Sequence, residues 1–178
     1  MIISGYQGIG KSTLAGAKGK YKCIDLESSN FWVNGERPEN WYKIYCQIAL
    51  SLSTQDYVVF VSSHKEVRDE LKAIEKYYSP ICVIYPSINL KDKWIEKLEK
   101  RYEETKSDKD YKALSYAKDH YKESIAEIMQ GGLPYYEINS IDYRLVEIIE
   151  YLTEYYKPWG REVINKIKLD LITKEDNK

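Results

Sequence analysis

The sequence predicts an α/β fold whose central sheet is parallel and covered by helices on both faces. Three observations support this. Short apolar runs are rich in β-branched and aromatic residues, as strands are. Their apolarity is continuous rather than alternating, which is typical of strands buried on both faces. Segments of helical spacing separate them, so strand and helix alternate as in right-handed crossovers. The predicted strands are Met1–Ser4, Tyr21–Leu26, Tyr57–Ser62, Ile81–Tyr85 and Tyr135–Ile138.

The segment between the fourth and fifth strands departs from this alternation. Two consecutive helices are predicted there, at roughly 90–106 and 110–130, joined near Ser107 and Asp108. We expect this 90–130 insertion to form a helical lid. We assign 1–156 to a single domain and 157–178 to a C-terminal helix with a frayed polar tail.

Composition bounds the classes of function. The chain has 178 residues and a formal net charge of -1, so it suits one domain and has no strong field for nucleic acid or anionic membrane. We therefore expect no stable nucleic-acid binding. No apolar run approaches the ~20 residues of a membrane helix, and no signal peptide is recognisable, so we predict a cytoplasmic protein without membrane contact. Three cysteines lack CxxC spacing, which favours reduced thiols over a metal or disulfide role. The oligomeric state is not indicated.

A phosphate-binding loop is the most specific signal in the chain. Residues 5–12 read GYQGIGKS, which fits every fixed position of GxxxxGK followed by Ser or Thr. The glycines let consecutive N–H groups turn inward towards phosphate oxygens. Lys11 is expected to reach the β- and γ-phosphates, and the Ser12 hydroxyl to ligate Mg²⁺. ATP and Mg²⁺ are therefore the predicted cofactors, bound by Gly5, Gln7, Gly8, Ile9, Gly10, Lys11, Ser12 and Thr13.

Two classes of nucleotide-binding protein fit poorly. A GTPase carries an Asn-Lys-x-Asp motif after a late strand, whereas the nearest text, Asn165-Lys166-Ile167-Lys168, is misplaced and lacks the Asp. A motor or helicase-type ATPase has an apolar strand ending in an acid that holds Mg²⁺. The strongest apolar strand here ends instead in Ser62-Ser63-His64. Small kinases remain.

The sequence resembles small P-loop kinases of the nucleoside monophosphate, gluconate and shikimate kinase group. The text DLESSN, VSSHKEVRDEL and YPSINLKDKWIEKL is also similar to phage and prophage nucleotide-kinase-like P-loop proteins. The resemblance spans most of the chain and is sharpest at the phosphate loop. It implies the P-loop NTPase fold, with five parallel strands in the order 2-3-1-4-5. The arginine-rich lid of adenylate kinases is missing, which counts against an ordinary adenylate kinase.

The end of the second strand supplies candidate acceptor-binding residues. Asp25 closes that strand, where open α/β sheets place ligands, and could orient an acceptor hydroxyl or hold Mg²⁺. A helix cap or a surface acid is the alternative. Glu27 points to the same side of an extended chain. Ser28 and Ser29 either hydrogen-bond the acceptor or form the turn.

The third strand leads into a helix that begins with cations. Ser63 and Glu66 fit a capping box. His64, Lys65 and Arg68 lie in the first turn, where positive charge is unfavourable unless an anion offsets it. We therefore assign these three to the acceptor site, with Arg68 binding its phosphate or carboxylate.

The insertion offers cations for the transferred group. Lys97 and Arg101 lie at i, i+4 on one polar helix face. A solvated face paired with neighbouring glutamates is the alternative. Phosphoryl transfer needs cations over the transferred group, and a lid commonly supplies them, so Arg101 is predicted to act there.

These residues predict an ATP-dependent phosphotransferase. The predicted catalytic residues are Lys11, Asp25, Arg68 and Arg101, with Mg²⁺ held by Ser12 and Asp25. The partner is a small phosphate acceptor, of which a nucleotide or nucleoside is our first choice. A kinase of a non-nucleotide hydroxyl compound and a non-catalytic ATP-binding regulatory protein are the alternatives.

Overall fold

The computed structural model describes residues 1–74 and 80–157, and its centre is one parallel five-stranded sheet. The strand order is β2-β3-β1-β4-β5, and every neighbouring pair is parallel. Helices flank the sheet, so the predicted α/β class, parallel sheet and strand order are confirmed. The strands are β1 Ile2–Gly5, β2 Lys22–Asp25, β3 Tyr57–Val61, β4 Ile81–Pro86 and β5 Tyr135–Ile138.

The three inner strands explain why the apolar runs are continuous. β1 and β4 are buried at every position, and β3 at all but its first, whereas the edge strands β2 and β5 are only partly buried. Ile2 of β1 lies between Val59 and Ile81 of its two neighbours. Burying a side chain of this size contributes about 1.5–3 kcal/mol, so these strands are a main part of the core.

Five helices follow the strands in the first part of the chain. Two of them, α4 and α5, have nearly the predicted limits. Ser107 is the N-cap of α5: its Oγ accepts from the Asp110 backbone N–H at 3.2 Å and donates to Asp110 Oδ2 at 2.9 Å. This reciprocal pairing satisfies a helix-end donor and fixes the start of α5. The helices are α1 Lys11–Gly16, α2 Trp41–Ser53, α3 Lys65–Ile74, α4 Lys91–Thr105 and α5 Asp108–Gln130.

The chain divides into two compact units, Met1–Tyr143 and Arg144–Lys178. In the second unit the structure describes helix α6 at 145–157, where Leu145, Ile148, Ile149 and Leu152 are buried as their spacing predicts. The rest of the predicted C-terminal tail, 158–178, lies outside the described residues. Across 1–74 and 80–157, no helix has both the length and the apolarity needed to span a membrane.

Candidate active site

A cavity of about 390 Å³ lies beyond the carboxyl ends of β1 and β2. Its floor is the turn between β1 and α1, and its opposite wall comes from α4 and α5. Ligands of open parallel sheets bind at this edge. Most of the predicted site residues line the cavity: Gln7, Gly8, Gly10, Lys11, Ser12, Thr13, Asp25, Glu27, Ser28 and Arg101.

The turn after β1 has the backbone that its glycines allow. Gly8 and Gly10 have φ of 83° and 97°, in the left-handed region where a side chain is strained. Gly5 and Ile9 do not line the cavity. Ile9 is buried, and a Cβ on Gly5 would lie only 2.6 Å from its Cδ1. These two residues therefore pack closely against each other within the turn.

Lys11 lies folded under this turn. Its Nζ donates to the carbonyl oxygens of Gly5 at 2.7 Å and Tyr6 at 3.1 Å. Removal from water lowers the pKa of Lys11 to about 8, and the Asp25 carboxylate opposes that shift. The ammonium is therefore held at the cavity floor by weak neutral acceptors, which an anionic ligand can replace.

Ser12 and Asp25 bring two oxygen donors together. Ser12 Oγ donates to Asp25 Oδ2 at 2.5 Å, which joins the first turn of α1 to the last residue of β2. Mg²⁺ binds few protein oxygens beside phosphate and water, so a hydroxyl with one carboxylate fits this ion. Within 1–74 and 80–157, no cluster of three or more His, Cys, Asp or Glu side chains could hold a metal by itself.

The wall opposite the turn carries cationic side chains that form ion pairs. Arg101 forms an ion pair with Asp110, whose carboxylate also accepts from Thr105 Oγ1 at 2.6 Å. Lys109 forms an ion pair with Glu27, which joins the start of α5 to the chain after β2. We had not predicted Lys109 and Asp110. The sequence feature that could have indicated them is Ser107, because as the N-cap it places both residues in the first turn of α5.

Lys97 also lines the cavity, and it lies over two aromatic rings. Its Nζ is 4.5 Å from the ring centroids of both Trp94 and Tyr143, which stack with 10° between their planes. It donates to Tyr143 Oη at 3.0 Å. Burial, followed by the charge of Arg101, lowers the pKa of Lys97 to about 8.

The other predicted acceptor residues lie outside the cavity lining. Arg68 is buried, its Nη2 lies 3.1 Å from Glu127 Oε2, and its Nη1 donates to the Ser63 carbonyl. Lys65 pairs with Asp69 on its own helix at 2.5 Å. The His64 ring lies edge-on to Trp41, and Ser29 is exposed to solvent.

Arg37 is a further cation beside the cavity that we had not predicted. Its Nη2 donates to the Oγ of Ser28, a lining residue, at 3.2 Å. Its guanidinium lies over the rings of Trp41 at 4.2 Å and Trp32 at 5.3 Å. Its Nε is buried without a hydrogen-bond partner among the described residues. Arg37 therefore places a positive charge next to a lining residue without lining the cavity itself.

A tight turn brings Arg37 back towards the sheet. Asn34 and Gly35 have φ of 52° and 85°, and the backbone of Val33 pairs with that of Glu36 on either side. Asn-Gly is the preferred pair for such a turn, so this dipeptide was the available sequence signal.

Comparison with known proteins does not assign the chain to a family. No protein-family model matches the sequence, and no curated protein is significantly similar to it. Fold and site define an α/β protein with a charged cavity at the carboxyl edge of its sheet. The function is therefore inferred from the geometry of that cavity.

Proposed function

We propose that this chain has the P-loop NTPase fold and transfers a phosphoryl group from ATP to a nucleotide or nucleoside. One observation carries the proposal. The glycine-rich turn, Lys11 and the Ser12–Asp25 pair all meet in one cavity, and the cations of α4 and α5 face them across it. Phosphoryl transfer is achieved mainly by positioning and by compensation of charge, and this cavity supplies groups for both.

The floor of the cavity suits the phosphates of ATP. The left-handed Gly8 and Gly10 allow the N–H groups of the turn to face a phosphate, and Lys11 donates to two backbone carbonyls that it can exchange for phosphate oxygens. Charge-assisted hydrogen bonds are about twice as strong as neutral ones, so this exchange favours binding. Ser12 and Asp25 would hold Mg²⁺, which neutralises phosphate charge when it is bound.

The cations of the hairpin that α4 and α5 form suit the transferred group. Arg101 and Lys97 line the cavity opposite the turn, and Lys109 closes it on the side of Glu27. Fixed cations aimed at developing charge stabilise a transition state more than water does, since they need no reorganisation. Arg101 is the strongest candidate, because a guanidinium stays charged and offers several donors in a fixed plane.

The side of the cavity near β2 suits the acceptor. Asp25, Glu27 and Ser28 can accept or orient a hydroxyl or phosphate oxygen. Arg37, bonded to Ser28, adds a positive charge beside the lining, and the exposed Trp32 ring near its guanidinium favours an acceptor with a planar base. For this reason we place a nucleotide or nucleoside ahead of a sugar acid or another hydroxyl compound.

The experiment is an assay of ADP release from Mg-ATP with separate panels of nucleosides, nucleoside monophosphates, sugar acids and DNA ends. We expect stimulation by one nucleoside or nucleotide panel. Lys11→Ala should abolish that release while the protein still unfolds in one cooperative thermal transition. Lys118→Ala is the matched control, because Lys118 pairs with Glu99 on an exposed face of the hairpin.

The other outcomes separate the alternatives. Stimulation by sugar acids alone would make the chain a kinase of non-nucleotide hydroxyl compounds. Tight ATP binding without release in any panel would indicate a non-catalytic nucleotide-binding protein. An active Lys11→Ala protein would exclude the assigned site.

A further inference from the structure

The phosphate-binding turn is held from outside by a buried tryptophan of the hairpin. Trp94 is fully buried, and its indole Nε1 donates to the Gln7 carbonyl oxygen at 3.1 Å. Trp94 does not line the cavity, whereas Gln7 and Gly8 do. The contact therefore acts on the backbone of the turn from the side away from the ligand.

The geometry of a peptide group makes this contact consequential. In a planar trans peptide, the C=O of one residue and the N–H of the next point in opposite directions. Trp94 holds the Gln7 C=O outward, so the Gly8 N–H of the same peptide is directed to the opposite side. That side is the cavity, where an inward N–H would meet a phosphate oxygen.

This peptide needs such a restraint because of the residue that follows it. Rotating the Gln7–Gly8 peptide changes the φ of Gly8, and glycine accepts either sign of φ at little cost. Gly8 has φ of 83°. A Cβ there would lie 2.8 Å from Leu98 Cδ2 and 3.3 Å from Trp94 Nε1, so α4 packs directly behind the turn.

We infer that Trp94 is a positioning residue for phosphate binding: its indole N–H fixes the Gln7–Gly8 peptide with the N–H facing the cavity. The inference rests on the proposed function, since it requires that the cavity binds phosphate. It adds a task for α4, which supports the phosphate-binding turn from behind and carries Lys97 and Arg101 into the cavity in front.

The test compares two substitutions that each remove one buried aromatic donor to a backbone carbonyl. Trp94→Phe removes the bond to Gln7. Tyr121→Phe is the matched control, because Tyr121 is fully buried in the same hairpin and its Oη donates to the Ser87 carbonyl at 2.9 Å. Inorganic pyrophosphate, titrated by calorimetry, is the probe, since it reports on the turn without base or acceptor.

We expect Trp94→Phe to weaken pyrophosphate binding about tenfold, the effect of one hydrogen bond on a preorganised site. Tyr121→Phe should leave the dissociation constant unchanged, although both variants should lower Tm. Replacing residue 94 by 3-benzothienylalanine keeps the bicyclic shape and removes only the N–H. It should reproduce the loss of affinity with less loss of Tm, and it serves as the test if Trp94→Phe does not fold.

The opposing results are distinct. Equal pyrophosphate affinity in wild type and the benzothienyl variant would show that Trp94 only packs, and the inference would be wrong. A wild-type protein that binds neither pyrophosphate nor Mg-ATP would overturn both the inference and the proposed function. A wild type that binds pyrophosphate but phosphorylates no acceptor would remove the kinase proposal alone, and the two variants would still decide the role of Trp94.

Discussion

Two ion pairs of the molecule are opposites in exposure. In the pair between α4 and α5, the Arg101 side chain is 39% exposed and its partner Asp110 only 6%. In the pair between α3 and α5, the Arg68 side chain is 5% exposed and its partner Glu127 is 42% exposed. Arg101 lines the cavity and Arg68 does not. One pair buries the carboxylate and leaves the guanidinium accessible, and the other does the reverse.

The difference indicates which arginine a ligand can reach. If the partly exposed Arg101 guanidinium turns to an anion, Asp110 Oδ2 keeps its hydrogen bonds from Thr105 and Ser107. The buried Oδ1, which faces Arg101, loses the charge beside it, so the anion must offset that cost. Arg68 is surrounded by protein, and its Nη1 is committed to the Ser63 carbonyl. Withdrawing it would leave buried groups unsatisfied, which is expensive. The proposed function therefore relies on Arg101.

The first prediction tests the accessible arginine. Arg101→Ala should lower kcat for phosphoryl transfer about 10²–10³-fold, the usual effect of removing one preorganised charge-stabilising group. Tm should also fall, because the buried Asp110 Oδ1 loses the charge that faces it, so kcat is measured below the unfolding transition. Steady-state kinetics and thermal unfolding measure the two quantities. A kcat equal to that of wild type would place the catalytic cation elsewhere in the cavity.

The second prediction tests the buried arginine. Arg68→Ala should lower the free energy of unfolding by about 1–3 kcal/mol, since it removes a buried side chain that connects α3 to α5. The kcat of the folded protein should be unchanged. Lys72→Ala, which removes an exposed donor to the Gly131 carbonyl from the same helix, should cost less. Loss of activity without loss of stability would restore Arg68 to the acceptor site that the sequence predicted.

This contrast shows why one part of the site was predictable from sequence and the other was not. The residues of the glycine-rich turn between β1 and α1 are consecutive, so local backbone chemistry determines how they are arranged. The sheet follows from apolar runs that must be covered on both faces. The side a helix presents to a cavity depends on packing with distant segments. For Arg68 that segment is α5, because Glu127 takes up its charge.

Arg37 and Lys109 were missed for the same reason. Arg37 reaches Ser28 only because the turn at Asn34-Gly35 reverses the chain. Lys109 reaches Glu27 across 82 residues of sequence. Neither contact has a local signature in composition or periodicity, whereas the Ser107 cap and the Asn-Gly turn that produce them do.

The third prediction separates a cation that titrates from one that does not. The pKa of Lys11 is lowered by burial from 10.5 to about 8, and bound phosphate should raise it again. Binding of Mg-ATP then takes up a proton above pH 8, and its dissociation constant should rise by up to about tenfold per pH unit. Calorimetry from pH 7 to 9.5 measures this rise.

The control for Lys11 is Lys11→Arg, whose guanidinium does not titrate in this range. The dissociation constant of this variant for Mg-ATP should rise less steeply with pH than that of wild type. Some rise should remain, because Lys97 titrates in both proteins. The free energy of unfolding should rise over the same pH range in which the affinity for Mg-ATP falls. Because folded Lys11 releases its proton before the unfolded chain does, the unfolded state binds more protons between pH 8 and 10.5, and the free energy of unfolding should rise there. A parallel pH dependence in the two proteins would assign the titration to another group.

The fourth and smallest effect is expected at Arg37, which lies between the two cases that open this comparison. Arg37 is partly buried, as Arg101 is, but among the ion pairs of the described residues it takes part in none. Arg37→Gln keeps a donor for Ser28 and removes the charge. The KM of the acceptor should rise about 3–10-fold, the range of one partly exposed cation, while the KM of ATP stays constant. Equal changes in both constants would mean that Arg37 only shapes the cavity wall; a change confined to phosphorylated acceptors would show that its guanidinium meets their phosphate.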